Sequence, residues 1–295
     1  MVKPRGWLEW NTEQARDWIA IPGSLDDKYS RGVLGAQIGS KDYPGAAVLG
    51  VEAAARTGVG MVRYLGPRLA SSLVLQRRPE TVTMPGRVQA WLLGSGISAA
   101  TRTDAVTAAL DAALAERLPT LCDAGALDRV GCARANDGPA GPVVITPHFR
   151  ELAGLLNTLP RTHPVTPEQI GASPAEWATR AAGLLGVTVL LKGSTTRIAS
   201  PGGARLMVSG APAWLATAGS GDVLGGILGA LLATNSARII QDDDALAALA
   251  ATAALIHARA ADLASAGGPI AALDVAEAIP AVMRALLAPA VEGRH

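Results

Sequence analysis

Short apolar runs alternate with longer helical patterns along most of this 295-residue chain. The runs are mostly hydrophobic, which is typical of strands that are buried on both faces of a sheet. They occupy residues 33–38, 60–65, 88–93, 119–122, 142–145 and 187–191. Between them lie helical patterns at about 45–57, 101–116 and 175–185, and another helix begins near Phe149. This alternation predicts an α/β fold with a mostly parallel sheet that helices cover on both faces.

The remainder of the chain continues the same plan. An apolar helix follows Ala218, and two alanine-rich helices at about 243–266 and 273–287 close the chain. Because no low-complexity linker and no internal repeat is found, residues 1–295 are predicted to form one domain. Residues 1–30 are predicted to be a lead-in segment whose tryptophans pack onto the body, with Asn11 or Thr12 capping a short helix.

Composition argues against several kinds of partner. Lys and Arg total 26 against 25 Asp and Glu, and no basic run is long enough to follow a nucleic-acid backbone. The apolar runs 223–233 and 245–256 are shorter than a membrane helix, and the N-terminus lacks a signal-peptide core. We therefore expect a cytoplasmic protein that binds neither nucleic acid nor membrane. Cys122 and Cys132 are expected to be buried thiols, because they lack the spacing of a zinc site or a disulfide framework.

The most informative stretch is Ala218-Gly219-Ser220-Gly221-Asp222, where a loop becomes an apolar helix. The first N–H groups of a helix have no intrahelical partner and lie at the positive end of its dipole, so they bind anions. Gly219, Ser220 and Gly221 are therefore predicted to form an anion hole, with glycine allowing close approach of a phosphate. Asp222, expected at the first helical position, would repel that phosphate unless it has a chemical role. It is predicted to be the base that deprotonates an attacking hydroxyl, and a plain helix cap is the alternative.

Other conspicuous loops also follow predicted strands, which is where open α/β sheets bind ligands. Gly94 and Gly96 suit either a tight turn or a ligand contact. Asp123 either binds a hydroxyl or metal-bound water, or caps the next short helix. His148 either faces the cleft or makes a structural hydrogen bond.

Lys192 ends an apolar strand, where an unpaired charge would be costly to bury. Its ammonium either meets phosphate oxygens or forms a surface ion pair. In the first case, the N–H of Gly193 and the hydroxyls of Ser194, Thr195 and Thr196 would complete a pocket for adenylate phosphates. The P-loop and kinase glycine patterns are absent, so a nucleotide would bind through this loop and the Asp222 helix.

Together these residues resemble the ADP-dependent NAD(P)H-hydrate dehydratases, a family with the ribokinase-like fold. The similarity covers about residues 28–288, and its most specific parts are 43–47, 146–148 with Glu151, 192–196, 218–224 and the region 257–274. The resemblance implies a ribokinase-like three-layer α/β/α sandwich with a mostly parallel central sheet. Two positions depart from the family pattern, because Ala218 and Arg150 stand where glycine is usual. Arg150 would either contact a phosphate or point to solvent.

The resemblance also implies an activity, the dehydration of the (S)-epimer of hydrated NADH and NADPH. ADP would donate its β-phosphate to the ring hydroxyl, and loss of phosphate would restore NAD(P)H beside AMP. Lys192 to Thr196 and Gly221 would bind the nucleotide, and Mg²⁺ would bridge the phosphates through ligands that the sequence does not identify. Contacts with the hydrated dinucleotide are implied for Ala46, Gly96, His148 and Asp222.

A tetramer and a separate NAD(P)H-hydrate epimerase are further implications, the latter because only about 30 residues precede the similar region. A second hypothesis is a small-molecule kinase of the same fold that acts on a vitamin precursor or a sugar hydroxyl. Asp222 and its helix would serve both reactions, whereas the loops 43–47 and 192–196 favour the dehydratase. A nucleotide-binding regulatory protein without turnover is the third hypothesis.

Overall fold

The computed structural model describes residues 6–130, 141–160, 163–242 and 244–288. Within this part of the chain, nine strands form one sheet. The strands are β1 (Leu8–Glu9), β2 (Val33–Gln37), β3 (Met61–Tyr64), β4 (Ala90–Leu93), β5 (Thr120–Cys122), β6 (Val143–Ile145), β7 (Thr188–Leu191), β8 (Thr196–Ala199) and β9 (Arg205–Val208). Their order across the sheet is β1-β9-β8-β7-β6-β5-β4-β2-β3.

Most of this sheet is parallel, as the sequence predicts. β2 pairs in parallel with β3 and β4, and β4, β5, β6 and β7 follow in chain order, so their carboxyl ends lie along one edge. The antiparallel hairpin β8–β9 was not predicted, and Thr196, expected in the binding loop, is the first residue of β8. β1 pairs in parallel with β9, so the lead-in segment contributes an edge strand.

Helices cover both faces of the sheet. They are α1 (Thr12–Arg16), α2 (Pro44–Thr57), α3 (Arg68–Arg77), α4 (Asp104–Ala115), α5 (Phe149–Asn157), α6 (Pro167–Ala172), α7 (Pro174–Leu185), α8 (Ser220–Thr234), α9 (Ser236–Ile239), α10 (Ala245–Ser265) and α11 (Ala272–Leu287). Pro44 opens α2 and Gly58 ends it in the left-handed conformation, as expected for these residue types. The sequence patterns did not predict α3, nor α6, which lies in a stretch interpreted as a connector.

Two cores separate the three layers. Along β2, Leu34 and Ala36 join the core that α2, α8, α10 and α11 form on one face of the sheet. Val33 points the other way, into the core formed with α4, α5 and α7. This alternation follows from the two-residue period of a strand, and it confirms the predicted α/β/α sandwich. The assignment of the whole chain to a single domain stays a prediction.

The lead-in segment packs onto the body through its tryptophans, as predicted. Trp10 and Trp18 are buried, and the Trp10 indole donates a 3.1 Å hydrogen bond to Thr252 Oγ1 in α10. Asn11 is the residue that caps α1.

The helix α10 lies close to the predicted bounds of about 243–266. It has 21 residues and is long and apolar enough to cross a membrane by length and composition, although the apolar run 245–256 within it is shorter than a membrane helix. However, 78% of its most apolar stretch is buried inside the protein, as in the core helix of a globular fold. Cys122 is buried with a raised pKa, chiefly through burial, whereas Cys132 lies outside the described residues.

Candidate active site

The carboxyl ends of four neighbouring strands meet at Asp123, which directly follows β5. Ser95 Oγ, after β4, donates to Asp123 Oδ2 at 3.0 Å. Thr146 Oγ1, after β6, and Lys192 Nζ, after β7, donate to Asp123 Oδ1 at 2.8 and 3.0 Å. Asp123 is only 4% exposed. Asp123 occupies the N-cap position of the following short turn, but its side chain makes no capping hydrogen bond there.

Lys192 is held on two sides at the end of β7. Its backbone N–H donates to the carbonyl of Pro147 at 2.9 Å, which ties the ends of β6 and β7 together. Its ammonium lies 3.6 Å from Glu151 Oε2 as well as beside Asp123. Burial lowers the pKa of Lys192, but the Asp123 and Glu151 carboxylates outweigh it and the pKa is raised. Lys192 is therefore a charged, largely enclosed cation and not the partner of a surface ion pair.

The start of α8 faces this lysine. Gly219 has a φ of +86° and precedes the first helical residue, Ser220. A side-chain carbon built on Gly221 would lie 3.7 Å from Lys192 Nζ, so the first turn of α8 and the lysine loop border the same space. Asp222 is the third residue of the helix, two positions later than the sequence suggested.

Asp222 has the proton affinity expected of a base. It is partly exposed, and its pKa is raised from 3.8 to about 7, first by burial and then by the negative charge of Asp123, against the opposing effect of Lys192. A carboxyl group with a pKa near neutrality exchanges protons efficiently at physiological pH.

His257, in α10, lies behind the start of α8 and was assigned no role from the sequence. It hydrogen-bonds the backbone of Ser220. Burial outweighs this bond and lowers the pKa of His257 to about 4, and the Lys192 charge acts in the same direction. Its Nε2 has no partner among the described residues. The sequence signal was a lone histidine in an alanine-rich helix, which does not by itself indicate a site.

His148 caps α5 and remains exposed. Its Nδ1 accepts from the Glu151 N–H at 3.1 Å, and the Glu151 carboxylate accepts from the His148 N–H at 2.8 Å. This capping box bears out the structural hydrogen bond considered for His148, and it fixes the ring beside the site. Arg150 is exposed, and its charge lies near Glu168 of α6.

Ala46 and Gly96 contact each other at the β2 and β4 end of the same edge. Gly96 has a φ of +66°, and a side-chain carbon there would lie 2.3 Å from Ala46 Cβ. Gly94 also has positive φ and packs against the Asp123 carbonyl, so the loop from 94 to 96 is a tight, closely packed turn. The contact of Ala46 and Gly96 with a dinucleotide stays a prediction.

The loop after Lys192 presents its polar groups outward. Gly193 and Ser194 are exposed, and Thr195 and Thr196 are partly exposed. A side-chain carbon at Gly193 would lie 3.2 Å from the Phe149 ring, so this glycine keeps the loop close to α5.

Several proteins are similar to this chain in sequence. A family model described as NAD(P)H-hydrate dehydratase matches residues 34–281. A bifunctional NAD(P)H-hydrate repair enzyme Nnr from Mycobacterium tuberculosis is 44% identical over 231 residues, which are 76% of this chain and 45% of that protein. An ADP-dependent (S)-NAD(P)H-hydrate dehydratase from Neisseria meningitidis is 33% identical over 215 residues, 68% of this chain and 69% of that protein. The chain spans about half the length of the bifunctional relatives that it matches.

Solved structures share the fold. An ADP/ATP-dependent NAD(P)H-hydrate dehydratase from Bacillus subtilis, co-crystallized with ATP/Mg²⁺, has a TM-score of 0.80 and 24% identity over 95% of this chain and 99% of its own. A ribokinase-like superfamily protein from Enterococcus faecalis has a TM-score of 0.81 and 21% identity over 98% of this chain and 99% of its own. These likenesses confirm the predicted ribokinase-like fold, and the family model confirms the family that the motifs resemble.

Proposed function

Because this chain belongs to the NAD(P)H-hydrate dehydratase family, we propose that it dehydrates the (S)-epimer of hydrated NADH and NADPH with ADP as phosphate donor. The proposal is carried by the closeness of the charged Lys192 to the start of α8, where anions are predicted to bind. Its Nζ would lie 3.7 Å from a side-chain carbon built on Gly221. Asp222, with its pKa near 7, follows one residue later.

Asp222 supplies the base in the proposed reaction. It takes the proton of the ring hydroxyl as that oxygen bonds to the β-phosphorus of ADP, and the bond from that phosphorus to the oxygen shared with AMP breaks. The phosphate then leaves with the carbon–oxygen bonding pair and takes the proton of a neighbouring ring carbon as the double bond returns. Phosphorylation converts a poor leaving group, hydroxide, into a good one, so the protein mainly provides positioning and charge stabilisation.

Two groups oppose the negative charge on the transferred phosphoryl group. The N–H groups of Gly219, Ser220 and Gly221 lie at the positive end of α8, although that of Ser220 already donates to the Thr217 carbonyl at 3.4 Å, and Lys192 adds a full charge beside them. We assign the adenine nucleotide to this side, with Gly193, Ser194, Thr195 and Thr196 as further donors around its phosphates. The dinucleotide is assigned to the side of Ala46, Gly96 and His148.

Mg²⁺ fits this site as a companion of the nucleotide phosphates. The described residues include no group of three His, Cys, Asp or Glu side chains that would hold a metal ion. Mg²⁺ commonly uses one or two carboxylates and takes its other ligands from phosphates and water. Glu151 is the carboxylate beside Lys192 that would hold the ion, because Asp123 already accepts three hydrogen bonds whereas Glu151 Oε2 accepts one, from the His148 N–H. The ion would neutralise charge on the bridging phosphate oxygens.

The proposal includes the partners that the family resemblance implies. A separate epimerase would interconvert the two hydrate epimers, and the word "bifunctional" in the names of the longer relatives supports a second repair activity acting on the same metabolites. A tetrameric assembly and a cytoplasmic location complete the proposal.

The decisive assay combines the purified protein with ADP or ATP and with hydrated NADH or NADPH. We expect reduced-nicotinamide absorbance to return, with one AMP formed per dinucleotide in the ADP reaction. Asp222→Asn should lower kcat by at least ~100-fold and leave the Kd for ADP nearly unchanged, since a general base is lost and the anion hole is kept.

The matched control is Asp111→Asn, the same chemical change at a half-exposed carboxylate of α4 that pairs with Arg129. This variant should keep its turnover. Accumulation of a phosphorylated vitamin precursor or sugar would favour the kinase, and nucleotide binding without turnover would favour the regulatory protein. Either result, with no NAD(P)H restored, overturns the proposal.

A further inference from the structure

The buried carboxylate of Asp123 has no role in the proposed proton transfer, yet it is the most connected side chain of the site. Its three partners are Ser95, Thr146 and Lys192, each from the end of a different strand. The hydroxyls of Ser95 and Thr146 would be enough to give each of the two carboxylate oxygens one hydrogen bond. The hydrogen bond from Lys192 is therefore not needed to satisfy the carboxylate, and its effect is to fix the position of the positive charge of the lysine.

The consequence for Lys192 is positional. A lysine side chain has four rotatable bonds and readily follows its partner, so its ammonium takes the place that its strongest acceptor gives it. With its hydrogen bond to Asp123 Oδ1 in place, that ammonium would lie 3.7 Å from a side-chain carbon built on Gly221. Glu151 lies further away, at 3.6 Å from Lys192 Nζ, so Asp123 is the closer anchor.

The consequence for Asp222 is electrostatic. Asp123 contributes a negative charge from β5, Lys192 a positive charge from β7, and Glu151 of α5 lies behind the lysine. The imidazole of His257, in α10, is neutral at physiological pH and therefore adds no charge. The neighbours from α2 and α11 at the preceding Gly219 are the apolar side chains Leu49 and Ala272.

We propose that Asp123 is a positioning residue of this enzyme: it holds the Lys192 ammonium against the first turn of α8, the turn that carries Asp222, so that its own charge and that of the lysine act there together. This inference rests on the proposed function, because it needs Asp222 as the base. Without Asp123, the lysine would act on Asp222 unopposed and would favour the ionised carboxylate, which is then a weaker base.

The test is the pH profile of kcat/KM for Asp123→Asn. We expect its acid limb to move to lower pH by ~1 unit, because a like charge beside Asp222 is removed. The plateau should fall and the KM for ADP should rise, both by ~10-fold, because Lys192 loses its anchor. Asp123→Glu keeps the charge on a longer side chain, so its acid limb should stay at the wild-type position while the KM still rises. A purely structural role would lower activity in both variants without moving the acid limb.

Three controls make the result unambiguous. Asp111→Asn should leave the profile unchanged, and thermal melting should show that each variant is folded. If Asp123→Asn does not fold, Asp123→Ser provides a second neutral variant with the same expectation. If a folded, neutral Asp123 variant keeps its acid limb at the wild-type pH and Asp222→Asn is inactive, the inference about Asp123 is overturned and the proposed function stands. Full turnover in Asp222→Asn would instead overturn the proposed function.

Discussion

Asp222→Asn is expected to make the protein more stable at pH 8 although it should remove the proposed activity. The reason is that the folded protein holds the Asp222 carboxylate against its preference: its pKa is about 7, whereas 3.8 is usual for an aspartate. Ionising Asp222 therefore costs free energy in the folded state, and the unfolded chain has no such cost. An asparagine of the same shape has no charge to form.

The size and sign of the effect follow from these two values. Below about pH 3.8 the carboxyl group is protonated in both states, so the substitution should change little. As the pH rises the unfolded chain ionises first, and the folded protein progressively loses stability until Asp222 ionises near pH 7. Above that pH the full cost applies, as much as ~4 kcal/mol at about 1.4 kcal/mol per pH unit.

The measurement is chemical denaturation of the wild type and Asp222→Asn between pH 4 and 8.5. The difference in the free energy of unfolding should be near zero at pH 4 and should favour the variant at pH 8. Asp111→Asn, which removes an exposed ion pair, should change stability by about 1 kcal/mol or less at any of these pH values. If the stability of Asp222→Asn relative to the wild type does not increase between pH 4 and 8, Asp222 is not held in an unfavourable ionised state.

Three further perturbations test other parts of the site and fold. Lys192→Ala should raise the Kd for ADP by at least ~10-fold, measured by calorimetry, and an unchanged Kd would remove the lysine from the nucleotide site. Gly219→Ala should cost about 1–3 kcal/mol and most of the activity, because Gly219 has positive φ and a side-chain carbon would lie 2.4 Å from Leu49 Cδ1. Gly203→Ala, with positive φ and open space, isolates the backbone part of that cost in the same denaturation measurement. Glu52→Gln should cost about 3 kcal/mol at pH 7 and progressively less as the pH falls from 4.5 towards 2, and an equal cost at pH 7 and pH 3 would contradict this.

The fold was predictable because its central strands carry the signal in their own residues. Strands buried on both faces are almost wholly apolar, as in β4 and, apart from Thr188, in β7, and the glycine and proline signals around α2 mark its ends. The hairpin β8–β9 escaped prediction because its strands are only partly buried and carry Arg197 and Arg205, so neither forms a continuous apolar run. The helix α6 escaped because its six residues lie in a stretch with several prolines.

The candidate site was predictable only in part. Glycines, a lysine and an aspartate that follow predicted strands indicate a ligand edge, and the fold brings Lys192 and the start of α8 together there. The sequence left Asp123 open between a cap and a ligand, because its partners lie 28, 23 and 69 residues away. A carboxylate's role is decided by which donors reach it, and that depends on the packing of distant strands.

Two carboxylates of this protein show how far the number of donors decides the outcome. Burial raises the pKa of Glu52 in α2, but hydrogen bonds from Arg78, Arg56 and Arg77 outweigh it and lower the pKa to about 2. Burial likewise raises the pKa of Asp222, but there only Lys192 acts against it, and Asp123 already shares that lysine. A carboxylate with three cationic donors stays ionised and stabilises the fold, whereas one left with part of a single cation keeps its affinity for a proton. Burial and the shortage of positive charge around Asp222 together keep its pKa high, which would suit this aspartate to proton transfer and costs stability at the same place.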